Sequence, residues 1–122
     1  MPRYLSLALT NPAPGRDAEY NAWYEDQHLL DVLAIDGIRS VQRFRLSPQS
    51  RSTLPFQYLA VYELETDDLG AVFSEIAGRA GTDRMPRSDA MAAERLFLDY
   101  EPIGPVLTAE QAARGRAGRG DG

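Results

Sequence analysis

Residues 4–9, YLSLAL, set Leu5, Leu7 and Leu9 against Tyr4, Ser6 and Ala8, an alternation of period two that predicts a strand. Asn-Pro and Pro-Gly then break the pattern, and Asp17 is a natural N-cap for a helix running to about Ala34. Asp36-Gly37 supplies its stop and turn. IRSVQRFRL (38–46) and FQYLAVYEL (56–64) read as a second and third strand, the latter dense in aromatic and β-branched residues. Leu69, Val72, Phe73, Ile76 and Ala77 recur at helical spacing behind Asp/Thr capping signals, which predicts an amphipathic helix ending at Gly78 or Gly81. ERLFLDYEPI (94–103) is the last strand, and residues 81–91 form an irregular loop, either an idle surface loop or one that closes over a pocket.

The order β-α-β-β-α-β predicts an α+β fold of the ferredoxin-like, split βαβ type. In it a four-stranded antiparallel sheet carries both helices on one face. Residues 1–107 make this single domain. Residues 108–122 have no large apolar residue, and predict at most a short helix and then a flexible C-terminal tail. The strands are apolar on both sides in places, with Leu59 and Val61 set against Tyr58, Ala60 and Tyr62. The second face of the sheet therefore needs a cover, and a second copy of the chain, giving a homodimer, is the simplest one.

The first helix separates into two stripes at about 100° per residue. Tyr20, Trp23, Gln27, Leu30 and Ala34 make the stripe expected to pack on the sheet, with Trp23 in its middle. Asn21, Tyr24, His28 and Asp31 make a polar stripe beside it, centred on the single histidine of the chain. Histidine is the side chain whose ordinary pKa, about 6.5, lies nearest neutrality. Asp31 is spaced to hold one ring nitrogen and fix the tautomer, while Tyr24 and Asn21 are spaced to donate to a developing oxyanion. The bland alternative is a boundary histidine satisfied by a neighbour. No serine stands in a His-linked nucleophile context, so the chemistry this set suits is proton transfer on a bound aromatic or enolisable compound.

Composition narrows the field. The net charge of −5 argues against nucleic acid or an anionic membrane as partner. Zero cysteines remove disulfides, thiol nucleophiles and Cys-based metal sites, and are compatible with a reducing cytoplasm. The early apolar run is too short for a signal sequence, and no stretch is long enough to span a membrane. No metal-ligand spacing and no glycine-rich phosphate loop are present, so no metal and no cofactor is expected. Arg43 and Arg45 share a strand face with Val41. They are expected to pair with Asp99 or Glu101 of the last strand, or else to clamp an anion.

TNPAPGRDAEYNAWYEDQHLLDVLAIDGIRSVQRFRL resembles the dimeric α+β barrel superfamily, and within it the EthD-like proteins. The resemblance rests on Asn21, Trp23, Tyr24 and His28, then a Gly-containing turn at Asp36-Gly37 and an Arg-aromatic pair, Arg43-Phe44. Where the family often has a proline two residues after the histidine, this chain has Leu30, so the helix is free to continue. The resemblance implies a dimer with a pocket between each protomer's own helices and sheet, and a small aromatic or apolar ligand. Trp23, Arg43 and Phe44 are candidate substrate-binding residues beside the candidate catalytic set of the polar stripe, His28, Tyr24, Asn21 and Asp31. Three functions stay open: an isomerase, cyclase or lyase using His28 as acid/base; a monooxygenase acting on a phenol or quinol; and a non-catalytic ligand-binding or dimerisation module. Haem-degrading relatives draw Asn, Trp and His from separate elements, whereas here all three share one helix.

Overall fold

Four strands, β1 (Arg3–Thr10), β2 (Ile38–Arg45), β3 (Tyr58–Glu65) and β4 (Leu96–Tyr100), form one antiparallel sheet in the order β2-β3-β1-β4. The computed structural model describes residues 1–120. β1 and β2 run in the same direction with β3 between them, and β3 and β4 do so with β1 between them. Each pair is joined by a helical crossover, which is the split βαβ arrangement of a ferredoxin-like fold. The first crossover is α1 (Asp17–Trp23), a π-helical turn (Tyr24–His28) and α2 (Leu29–Leu33), together one continuous helical segment. The second is α3 (Leu69–Arg79). The expected strands and helices are all present, with β3 starting later and β4 shorter at both ends than expected.

Register explains which side chains meet. Ser6 faces Tyr62 and Asp99, Ala8 faces Ala60 and Phe97, and Thr10 faces Tyr58. These residues share the side covered by the helices, where Tyr20, Tyr24, Val32, Ile35 and Val72 join Ala8, Ala60, Tyr62 and Leu64 in one core. On the other side, Phe44, Leu59, Leu9 and Leu96 stand in one row across all four strands, with Val61, Leu7 and Leu98 in the next. Among the described residues no helix covers that second side, and the 46–57 loop lies over part of it, beside Leu9, Phe44 and Leu59.

Local signals account for the element ends. Asp68 caps α3, its Oδ1 accepting from the Ala71 N–H at 3.0 Å. Gly37 sits at φ 97°, and a Cβ there would meet Val72 Cγ2 at 3.0 Å. Only glycine allows both this left-handed turn and the approach of α3. Asp17 is not the cap expected of it: it is the first helical residue, preceded by Arg16, which makes no side-chain cap. Arg16 instead reaches Glu19 at 2.6 Å and Asp89 at 2.9 Å, tying the helix start to the 81–91 loop.

The C-terminal segment holds α4 (Ala109–Gly120), longer than the short helix expected. Thr108 and Gln111 form a reciprocal capping box: the Thr108 N–H donates to Gln111 Oε1 at 2.9 Å, and the Gln111 N–H donates to Thr108 Oγ1 at 3.1 Å. Alanines and an i,i+4 pair between Glu110 and Arg114 then carry the helix without a packed face. The part of the expected tail at residues 121–122 lies outside the described residues.

Candidate functional site

The helical segment between β1 and β2 does not keep one period. The Leu29 N–H bonds to the Tyr24 carbonyl, five residues back, so the turn from Tyr24 to His28 is wider than an α-turn. Residues four apart overshoot an α-turn by about 40° at each step, and one widened turn takes up that drift. The result is a single buried face through Tyr20, Tyr24, Val32 and Ile35, with His28 in line with it and largely buried. The expected packing stripe is corrected accordingly. Gln27, Leu30 and Ala34 lie exposed, Trp23 is half-buried, and only Tyr20 keeps its place in the core. Leu30 does let the helix continue, as far as Leu33.

The polar stripe is divided the same way. Tyr24 and His28 line a cavity of about 450 Å³ between the helices and the sheet. Asn21 and Asp31 do not. The Asn21 carboxamide donates to the Asp17 carbonyl at 2.9 Å and accepts from Arg43 at 2.8 Å. Asp31 accepts from Gln27 Nε2 at 2.8 Å instead of holding the imidazole. His28 Nδ1 is the one sealed side-chain polar atom among the described residues with no hydrogen-bond partner.

The imidazole is held by stacking. It lies on the Trp23 indole, with centroids 4.4 Å apart and planes 19° from parallel, and meets the Tyr24 ring edge-on at 5.3 Å. Trp23 Nε1 donates to the Pro86 carbonyl at 3.2 Å, which fixes the indole and fastens the 81–91 loop over the cavity. Burial lowers the His28 pKa to about 4, opposed only by the charge of Asp31. The ring is therefore neutral at physiological pH, with one nitrogen able to accept.

Arg43 is corrected too. β2 and β4 are the two edges of the sheet, so Arg43 cannot reach Asp99 or Glu101. It turns under the helix to Glu25 at 2.8 Å and Asn21 at 2.8 Å, with its guanidinium 4.5 Å from the Tyr24 ring centre and 5.4 Å from those of Tyr20 and Tyr58. This cluster ties β2 to the helix, and Arg43 does not line the cavity. Phe44 lies on the uncovered side of the sheet and does not line it either.

Sequence reasoning missed part of the wall. Tyr62 points into the cavity from β3, and burial pushes its hydroxyl pKa up, leaving a neutral O–H donor with no side-chain partner among the described residues. Ser6 donates to Asp99 across the β1–β4 pair in the same wall. Arg87 and Arg95 stand at the exposed rim. The strand alternation placed Tyr62 on a face, but only the strand order and the helix position show that this face borders open space.

The fold is similar to that of a solved structure from Mesorhizobium loti, described as a dabb family protein with a ferredoxin-like fold. The TM-score is 0.54 at 15% identity, covering 85% of this chain and 100% of that one. No family model matches the sequence, and no curated protein matches it at significance. Among the described residues no helix is long and apolar enough to cross a membrane.

Proposed function

We propose that this chain is an EthD-like, cofactor-independent enzyme of the isomerase, cyclase or lyase type, working in the cytoplasm as a homodimer. Its substrate is a small aromatic or enolisable compound held between helices and sheet, and His28 is its general acid/base. The observation that carries this reading is His28 itself: a neutral imidazole in the wall of an apolar cavity, oriented by Trp23 and Tyr24. Tyr62 supplies a neutral O–H donor in the same cavity for an enolate oxygen as charge develops. A base of low pKa gains strength as that charge develops beside it, because the imidazolium is then paired. Tyr24 and Trp23 aim the ring and form the apolar wall. Asn21 and Asp31 hold the helix and take no part in proton transfer.

The test is exchange of the α-protons of 1-tetralone and related aromatic ketones in D₂O, followed by proton NMR. The chain is expected to accelerate exchange, and His28→Ala to lose that acceleration by about a hundredfold while staying folded. Exchange unaffected by the substitution removes the mechanism. Binding without any exchange favours the ligand-binding module, which the low pKa of His28 in the unliganded protein also suits.

A further inference from the structure

The cavity has two ends of different character. Tyr24, Val32, Ile38, Tyr62 and Leu64 make a buried, mostly hydrocarbon floor. The rim carries two exposed arginines, Arg87 and Arg95, in a chain whose net charge is −5. Among the described residues neither arginine makes an ion pair, a state shared with Arg3, Arg45, Arg51, Arg84, Arg116 and Arg119, but Arg87 and Arg95 are the two that line the cavity. We propose, building on the reading above, that the ligand is an apolar body ending in a single carboxylate, and that Arg87 and Arg95 hold that carboxylate at the cavity mouth.

Both arginines are placed by the chain around them. Arg95 donates from Nε to the Ala93 carbonyl at 3.3 Å, which sets the direction of its fork and leaves both terminal nitrogens free. Arg87 lies across Gly81, where an added Cβ would come within 3.4 Å of its Nε and 3.5 Å of its Cζ. Gly81 is held in turn by its N–H to the Met85 carbonyl at 2.9 Å, and the loop is fastened at Pro86 by Trp23. The guanidinium at residue 87 thus rests on a fixed turn. A planar fork of N–H donors matches a carboxylate, and an apolar floor rejects a ligand charged throughout.

The third charged group of the wall limits the ligand's charge. Asp99 faces the same cavity with its carboxylate engaged by Ser6. A carboxylate brings one negative charge past it, whereas a phosphate monoester brings nearly two, and the second is repelled at short range. The polarity of binding also follows: with the acid group at the rim, the apolar end of the ligand lies deeper, toward the wall that holds His28.

Calorimetric titration of the whole chain with 2-naphthylacetate, 2-naphthylacetamide and 2-naphthyl phosphate separates the possibilities. The acid is expected to bind about tenfold more tightly than the amide, with the phosphate weaker than the acid. In the Arg87→Gln/Arg95→Gln double variant the gap between acid and amide closes, while the affinity for the amide stays within about twofold. Equal affinity for acid and amide in the unmodified chain overturns the anchor and leaves the cavity reading standing. Tighter binding of the phosphate overturns the choice of carboxylate. If none of the three binds at millimolar concentration, the cavity reading falls together with the anchor.

Discussion

The two sides of the sheet share the same strands and differ in almost every other property. On the covered side, tyrosines, Thr10 and the Arg43 cluster place polar groups among hydrocarbon. There Thr10 bonds to Tyr20, and Asn21 bonds to Arg43. On the other side, Leu5, Phe44, Leu96 and Tyr100 are 41, 45, 44 and 52% exposed, and the 46–57 loop reaches over one part of the face, beside Leu9, Phe44 and Leu59. An alternating strand thus gives one face to a walled pocket and the other to a flat apolar surface of a kind that monomers rarely leave bare. The proposed acid/base chemistry belongs to the first face and the proposed homodimer to the second, and each can be disabled without touching the other.

The largest expected effect comes from charging the flat side. Leu5→Glu combined with Val61→Lys is expected to reduce the molar mass seen by light scattering to the 13.5 kDa of one chain, with binding in the cavity retained. An unmodified chain already at that mass contradicts the dimer. A mass above it that survives both substitutions moves the interface elsewhere.

The covered side is sharpened by pH. Because the folded His28 pKa, about 4, lies below its ordinary 6.5, the unfolded chain takes up the proton first as pH falls. The stability linked to the neutral ring is complete above about pH 6.5 and drains away toward pH 4. That loss amounts to on the order of 3 kcal/mol. Denaturant titrations across this window should show the loss in the unmodified chain and much less of it in His28→Gln. Identical pH profiles for the two proteins would place His28 in a more solvated setting than its burial indicates.

Arg43 gives a smaller effect with its own internal contrast. Arg43→Met removes the stacking on three tyrosines and leaves Asn21 Oδ1 without its charged donor. It is expected to cost about 2 kcal/mol of stability. Glu25→Gln, at a partner that is 57% exposed, is expected to cost no more than about 0.5 kcal/mol. Equal losses from the two substitutions would show that the ion pair, and not the aromatic cage, holds β2 to the helix.

Much of this molecule could be read along the chain. Leu5, Leu7 and Leu9 do share one face, Asp68 does cap α3, and Asp36-Gly37 does end the first crossover, because each signal is local and carries its own geometry. Two kinds of feature were hidden. A fixed helical period has no place for a π-turn, so at about 100° per residue Gln27 and Leu30 fall on the packing stripe and Tyr24 and His28 beside it. Pairings across the sheet depend on strand order, which nothing near Arg43 encodes, so the true partners, Glu25 and Asn21 on the helix, lay outside a strand-by-strand comparison. His28 and Trp23 were visible as a pair of unusual residues on one helix. Their stacking, and the enclosure of Tyr62 in the same wall, needed the third dimension.

The π-turn at Tyr24–His28 also bears on how sensitive the pocket is to the length of this helix. The helix carries one residue more than its hydrogen-bond ladder needs, absorbed locally because the flanking turns remain regular. Removing that residue would swing everything on one side of the turn through about 100° relative to the other. The imidazole and the indole would then no longer share a wall with Val32 and Ile35 held in place. Deleting one residue from this turn would therefore do more to the direction in which the histidine faces than any exchange of one side chain for another.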